Sequence, residues 1–274
     1  MPLLTVLIPT YRRKAGLACV LASLLGQRFT DFNVVVSDQT PEDEAYLDAP
    51  EVDTAVQALR WHGHDVRLLR HVPPRGLAEQ RHFLLEQAET PYVQFLDDDL
   101  VLEPTVLERM VRVITTERCG FVGCAAVGLW ALAEVRPEEQ QIEVWDGPVV
   151  PEKVDPDCPP IGRHRVNNGA TPLHLEQKLI TGDRPLVRYK VAWVGANVLY
   201  DRLKLLSVGG FSWWPRLPAK HAGEDVLPQL LLLERHGGCG VLPSGTYHMQ
   251  LPTTVEDREV DARELLPDLL RAMA

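Results

Sequence analysis

Four apolar segments, each ending abruptly in polar residues, alternate with helix-like segments over the first hundred residues of this 274-residue chain. Residues 3–8 form an apolar, β-branched run closed by Pro9-Thr10-Tyr11. Leu17, Leu21, Leu24 and Leu25 then recur at helical spacing, and residues 32–36 read as a second buried strand. Val52, Val56 and Leu59 mark a helix before a third strand at 66–69, and Leu77, Leu84 and Ala88 share a helix face before a fourth at 92–96. Continuous apolar strands separated by helices imply βαβ units with right-handed crossovers and a mostly parallel sheet. The expected fold class is α/β, a Rossmann-like central sheet flanked by helices.

The alternation runs on through a helix at 105–116 and a strand at 120–127, then fails. Residues 134–185, rich in Pro, Asp, Glu and Gly, read as an excursion of loops with room for a hairpin, not as a linker between domains. Regular structure resumes at 189–199. A leucine-rich helix spans 226–236 and stops at Gly237-Gly238, and a short amphipathic helix covers 261–273. The expectation is a single domain over 1–274, divided into a half at 1–128 and a loop-rich half at 129–274.

In open parallel sheets, ligands collect outside the carboxyl ends of the strands. Asp97-Asp98-Asp99 directly follows the fourth strand. Three adjacent carboxylates repel one another unless a cation or hydrogen-bond donors neutralise them. A hard divalent cation takes one or two carboxylates together with substrate phosphates and water, and a metal on an Asp-x-Asp pair can neutralise a departing diphosphate. The plainer alternative is acidic capping of the helix that starts near Pro104-Thr105. Asp38, at the end of the second strand, suits either a turn or a hydrogen bond to a base or ribose. Tyr11, Arg12 and Arg13, after the first strand, suit either a solvated turn or a base stack with a guanidinium on phosphate oxygens.

Charge and cysteine content narrow the partners. Against 38 Asp plus Glu there are 28 Lys plus Arg, a net charge of −10, so general binding to nucleic acid or anionic lipid is not expected. Five cysteines without paired spacing suit reduced thiols in a cytoplasmic protein. Residues 1–10 lack a basic leader or cleavage-site pattern and read as a strand, not a signal peptide. The longest uncharged stretch, 119–133, is 15 residues, short of the about 20 that a membrane span needs. Peripheral membrane contact stays open.

In combination these pieces resemble the family 2 glycosyltransferases of the GT-A fold. Pro9-Thr10-Tyr11-Arg12-Arg13 matches the family's Pro-x-Tyr-Asn/Arg-Arg opening, and Asp38 its strand-end Asp. Arg75-Gly76-Leu77-Ala78 with Arg81 is similar to its Gly-x-x-x-Ala-Arg-Asn helix start, and Phe95-Leu96-Asp97-Asp98-Asp99 to its Asp-x-Asp signature. Gly195-Ala196-Asn197, Gly209-Gly210-Phe211 and Gly223-Glu224-Asp225 follow in the family's order. The resemblance runs from residue 3 to about 248 and is thin between 130 and 188.

The resemblance implies inverting, metal-dependent transfer of a sugar from a nucleotide-diphosphate sugar to the hydroxyl of a glycan, lipid-linked or small-molecule acceptor. Residues 1–128 become the nucleotide-binding half and 129–274 the acceptor side. Thr10, Tyr11 and Asp38 are implied to hold base and ribose, Arg81 to lie near base or diphosphate, and Asp97 to lie near the ribose. Pro9, Arg13, Asp98 and Asn197 complete the implied donor-binding set. Asp99, with Asp97 and His248, is implied to bind Mn²⁺ or Mg²⁺, and Asp225 or its neighbour Glu224 to act as general base. A carboxylate at a helix start stays ionised more readily, and capping alone is the other reading of that pair.

Trp213-Trp214 suits either a sugar platform or loop packing, and His221 lies just before the carboxylate pair. Three departures stand out. Gln39-Thr40 follows Asp38 where small residues are usual, His82 replaces the Asn after Arg81, and the Gln-x-x-Arg-Trp motif of processive synthases is absent. Single addition is therefore expected. The alternatives are a nucleotidyltransferase, which would want a Gly-rich loop and lysine after the first strand, and a non-catalytic nucleotide-sugar or glycan binder. Against the latter, unused buried carboxylates are costly.

Overall fold

The computed structural model describes residues 1–155, 158–254 and 257–273. Strands β1 (Leu4–Thr10), β2 (Phe32–Asp38), β3 (Val66–Arg70) and β4 (Tyr92–Leu96) pair in parallel in the order β3-β2-β1-β4. All seven residues of β1 are buried, which explains a run that is apolar on both faces instead of alternating. The crossover helices are α1 (Lys14–Leu25), α2 (Pro50–Trp61) and α3 (Leu77–Glu86). Leu17, Leu21 and Leu24 of α1 join Val52, Val56 and Leu59 of α2 in one core, while Ala78, Leu84 and Leu85 of α3 enter the core on the opposite face.

After β4 come β5 (Leu100–Leu102), α4 (Val106–Glu117) and β6 (Phe121–Gly123). The amphipathic α4 buries Val106, Leu107, Met110, Val111, Val113 and Ile114. The expected strand at 120–127 is thus cut to three residues. Beyond it, Val127 bridges instead to Tyr247. Residues 134–185 hold no strand among those described. They contain 3₁₀ turns at Pro137–Glu139 and Ile161–Asn167, and the helix α5 (Thr171–Leu179). Pro172 sits in the first turn of α5, where the missing N–H costs nothing.

The chain continues through β7 (Val187–Tyr189), β8 (Asn197–Asp201), α6 (Arg202–Ser207), β9 (His221–Ala222), α7 (Val226–His236) and β10 (Gly238–Leu242). It ends with β11 (Thr246–His248), β12 (Val260–Asp261) and α8 (Leu266–Met273). The large sheet has eight strands in the order β3-β2-β1-β4-β8-β6-β10-β7. It is mostly parallel as expected, but β8 runs antiparallel to both β4 and β6, and β7 antiparallel to β10.

Two small sheets finish the strand ends. β11 pairs antiparallel with β5, setting His248 opposite Leu100, and β12 pairs parallel with β9, setting Asp261 opposite Ala222. At Gly16 a Cβ would lie 2.4 Å from the Asp98 carbonyl oxygen, so glycine lets α1 close against the aspartates. All five cysteines are free. Among the described residues no helix is long and apolar enough to cross a membrane.

Candidate active site

The carboxyl ends of β1 and β4 are neighbours in the sheet, so Thr10, Arg13 and the three aspartates meet. Thr10 Oγ1 donates to Asp98 Oδ2 at 2.6 Å and lies 2.5 Å from the Tyr46 hydroxyl. The Asp98 carboxyl is almost wholly buried under this contact. Burial pushes it up to about 7, against the opposing pull of the Thr10 hydrogen bond and the Arg13 charge. Arg13 donates to Asp98 Oδ1 at 3.1 Å, to Asp99 Oδ2, and through its second amino group to the Pro252 carbonyl at 2.7 Å. His248 Nε2 approaches the same Asp99 Oδ2 at 3.4 Å.

A second cluster lies beside it. Arg81, on the inner face of α3 and only 4% exposed, donates to Asp97 Oδ1 at 3.0 Å and lies 3.5 Å from Glu224 Oε1. Its guanidinium sits 5.4 Å from the Phe95 ring centre. Burial raises the Asp97 and Glu224 carboxyls above the ordinary carboxylate range, with Arg81 opposing the rise in both. Asp225, at the start of α7, is pushed up to about 7 by burial and by its neighbour Glu224. Glu224 thus lies at ion-pair distance from Arg81 Nε without a hydrogen bond, whereas no ion pair ties Asp225 among the described residues. A carboxyl titrating near neutrality without a salt-bridge partner is suited to taking a proton.

Several expected site residues face inward. Asp38 is fully buried, with Oδ2 accepting from Arg70 at 2.6 Å and Oδ1 from the Thr40 N–H at 2.9 Å. Asn197 is fully buried too, joining Gln94 at 2.6 Å to Thr246 at 2.9 Å. Both side chains fasten strands together instead of being presented to the cleft. Asp97 accepts from Arg81, and among the described residues it forms no three-ligand group with Asp99 and His248. Pro9 is a buried β1 residue. Tyr11 stays half-buried at the end of β1, with the Arg12 guanidinium 5.1 Å from its ring centre.

Trp213 is buried and donates to the Gly210 carbonyl at 3.0 Å, so it packs the loop. Burial lowers the His221 imidazole below its ordinary value, and the ring joins the Ala78 N–H to the Pro218 carbonyl. Sequence reasoning missed Tyr46 and Arg70. Arg70 is the last residue of β3, so the strand-end criterion that found Asp38 applies equally to it.

Residues 5–140 match the family model described as glycosyl transferase family 2. This match places the chain in glycosyl transferase family 2. An uncharacterised glycosyltransferase of Haemophilus influenzae is 25% identical over 112 residues, which are 41% of this chain and 34% of that protein. GalNAc(5)-diNAcBac-PP-undecaprenol beta-1,3-glucosyltransferase of Campylobacter jejuni is 30% identical over 100 residues, 36% of this chain and 30% of its own length. These matches span about a third of the curated relatives. Among solved structures, residues 1–349 of S. aureus TarS in complex with UDP-GlcNAc superpose with a TM-score of 0.58 at 15% identity, covering 98% of this chain and 65% of that one. The family 2 chain therefore has the GT-A fold.

Proposed function

We propose that this chain transfers a sugar, with inversion and one residue at a time, from a nucleotide-diphosphate sugar to an acceptor hydroxyl, with Asp225 as general base. The observation that carries the proposal is the division of the Glu224-Asp225 pair. Glu224 faces the Arg81 charge at 3.5 Å, and Asp225, with no ion pair of its own among the described residues, is poised near neutral pH by burial and by Glu224. The acceptor hydroxyl gives its proton to the Asp225 carboxylate as its oxygen bonds to the anomeric carbon, and the nucleotide diphosphate leaves from the opposite side. Tyr11 and Thr10 border the base and ribose at the end of β1, and Arg81 keeps Asp97 oriented at the end of β4.

Asp99 and His248 are the residues that fit a divalent cation. A carboxylate oxygen and an imidazole nitrogen 3.4 Å apart make a donor pair suited to Mn²⁺ or Mg²⁺, with phosphate and water completing the shell. Among the described residues no group of three or more such side chains forms a ready-made metal site, so the donor's own phosphates belong to the ligand set. The cation supplies charge neutralisation for the leaving diphosphate. Family membership weighs against the nucleotidyltransferase alternative, and the poised Asp225 against a mere binding module.

The test is a turnover assay across pH with the nucleotide sugar selected by thermal shift, followed by NMR of the product's anomeric configuration. Because the base must be ionised to accept a proton, kcat/KM should fall about tenfold per pH unit below about 7. A flat profile between pH 5 and 8, or retained anomeric configuration, rejects the assignment.

A further inference from the structure

The Asp99 oxygen nearest His248 already has a cationic donor. Arg13 donates to Asp99 Oδ2 and also to Asp98, and it holds the Pro252 carbonyl at 2.7 Å. His248 reaches the same oxygen with Nε2. Its other ring nitrogen, Nδ1, accepts the Gln250 N–H at 2.9 Å, so in the neutral ring the proton lies on Nε2, the nitrogen 3.4 Å from Asp99. For Nε2 to face a cation, that proton must move to Nδ1, which can then no longer accept from Gln250. The Gln250 backbone is in the left-handed region, with φ of +57°, so the turn that makes this contact is a strained one. Arg13 is incompletely satisfied where it lies, since its Nε is buried without a partner.

We infer that Arg13 is a built-in cation that competes with the divalent metal for Asp99, and that its withdrawal frees the turn at 249–252 so that His248 can turn its lone pair inward. The released guanidinium then has a fork of donors for the diphosphate oxygens. The chain should accordingly take metal and nucleotide together and bind metal alone poorly. This inference rests on the assignment of Asp99 and His248 as metal ligands.

The test is titration of Mn²⁺ followed by the EPR signal of the free ion, with and without UDP, GDP, dTDP or CDP, on wild type, Arg13→Met, Arg13→Lys and Asp99→Ala. In wild type a nucleotide should tighten Mn²⁺ binding. In Arg13→Met, Mn²⁺ alone should bind about tenfold more tightly than to wild type, within the usual range of coupling between sites, and the nucleotide should add less. Arg13→Lys, which keeps a charge but loses the fork that spans Asp99 and Pro252, should fall between them, and it carries the test if Arg13→Met does not fold. Equal or weaker Mn²⁺ binding in the Arg13 variants, with binding still lost in Asp99→Ala, overturns the competition and leaves the metal ligands standing. Absence of Mn²⁺ binding in every protein, with or without nucleotide, overturns both.

Discussion

Asp225→Asn is expected to lower turnover by about 10²–10⁴-fold, the usual contribution of a general base, while donor binding is largely kept. The same substitution should raise the Tm at pH 8. The folded carboxyl is pushed up to about 7 from an ordinary 3.8, so between those pH values the folded chain holds a proton that the unfolded chain has released. Stability from this group is therefore full below about pH 4 and is lost as pH rises to about 7. Asparagine removes that cost, so its advantage in Tm should be present at pH 8 and gone at pH 4. Asp98, also raised to about 7, keeps its own pH dependence in the variant, so the comparison reports on residue 225 together with its neighbour Glu224. Wild-type turnover in Asp225→Asn would move the base elsewhere, and an unchanged Tm difference across pH would contradict the buried, proton-holding carboxyl.

Arg81→Met is expected to have the largest effect on stability. The guanidinium is the cation between Asp97 and Glu224, and it is nearly inaccessible to water. Removing one partner from a buried ion pair costs about 3–5 kcal/mol because the other charge is left uncompensated, on the order of 10 °C for a chain of this size. The loss should shrink as the pH is lowered, since protonation of the two carboxyls, already raised by burial, removes the uncompensated charge. Thermal melts of Arg81→Met at pH 7 and pH 5 check both statements. A fall of less than about 2 °C at pH 7 would show that the network is solvated.

What was legible in the sequence follows from range. β1, β2 and β4 are buried on both faces, and that environment writes continuous apolar runs that need no knowledge of partners, whereas the edge strand β3 is only half-buried and keeps two arginines. The candidate site residues that follow the strand ends, Thr10, Arg13, Asp97 and Asp99, are legible in the same way. The inward contacts of Asp38 and Asn197 are not, because they depend on Arg70, Gln94 and Thr246 on other strands. His248 stood out only by its place in a familiar order. Its approach to Asp99 is produced by the β5–β11 pairing and by the Met249 N–H donating to the Asp99 carbonyl at 2.9 Å, and a three-residue strand such as β5 leaves no periodicity to read. The helix α5 was hidden by its polar surroundings, although Pro172 at its start was a usable signal. The C-terminal residues were read as a helix alone. Their strand β12, which pairs beside Gly223-Glu224-Asp225, is only two residues long.

The position of β8 bears on how the chain reaches this state during synthesis. β4 finds its outer neighbour about a hundred residues later in the chain, since Tyr92 pairs with Asp201 and Leu96 with Asn197. Until β8 emerges from the ribosome, β4 is an open edge of unpaired amides beside the growing sheet, and β6 has no partner on either side. Pairings so distant in sequence form slowly, and an uncovered edge recruits other chains. A fragment ending at residue 128 should therefore aggregate when made alone and should be rescued by extension to residue 250. A soluble, cooperatively melting 1–128 fragment would show that the first half closes its own edge.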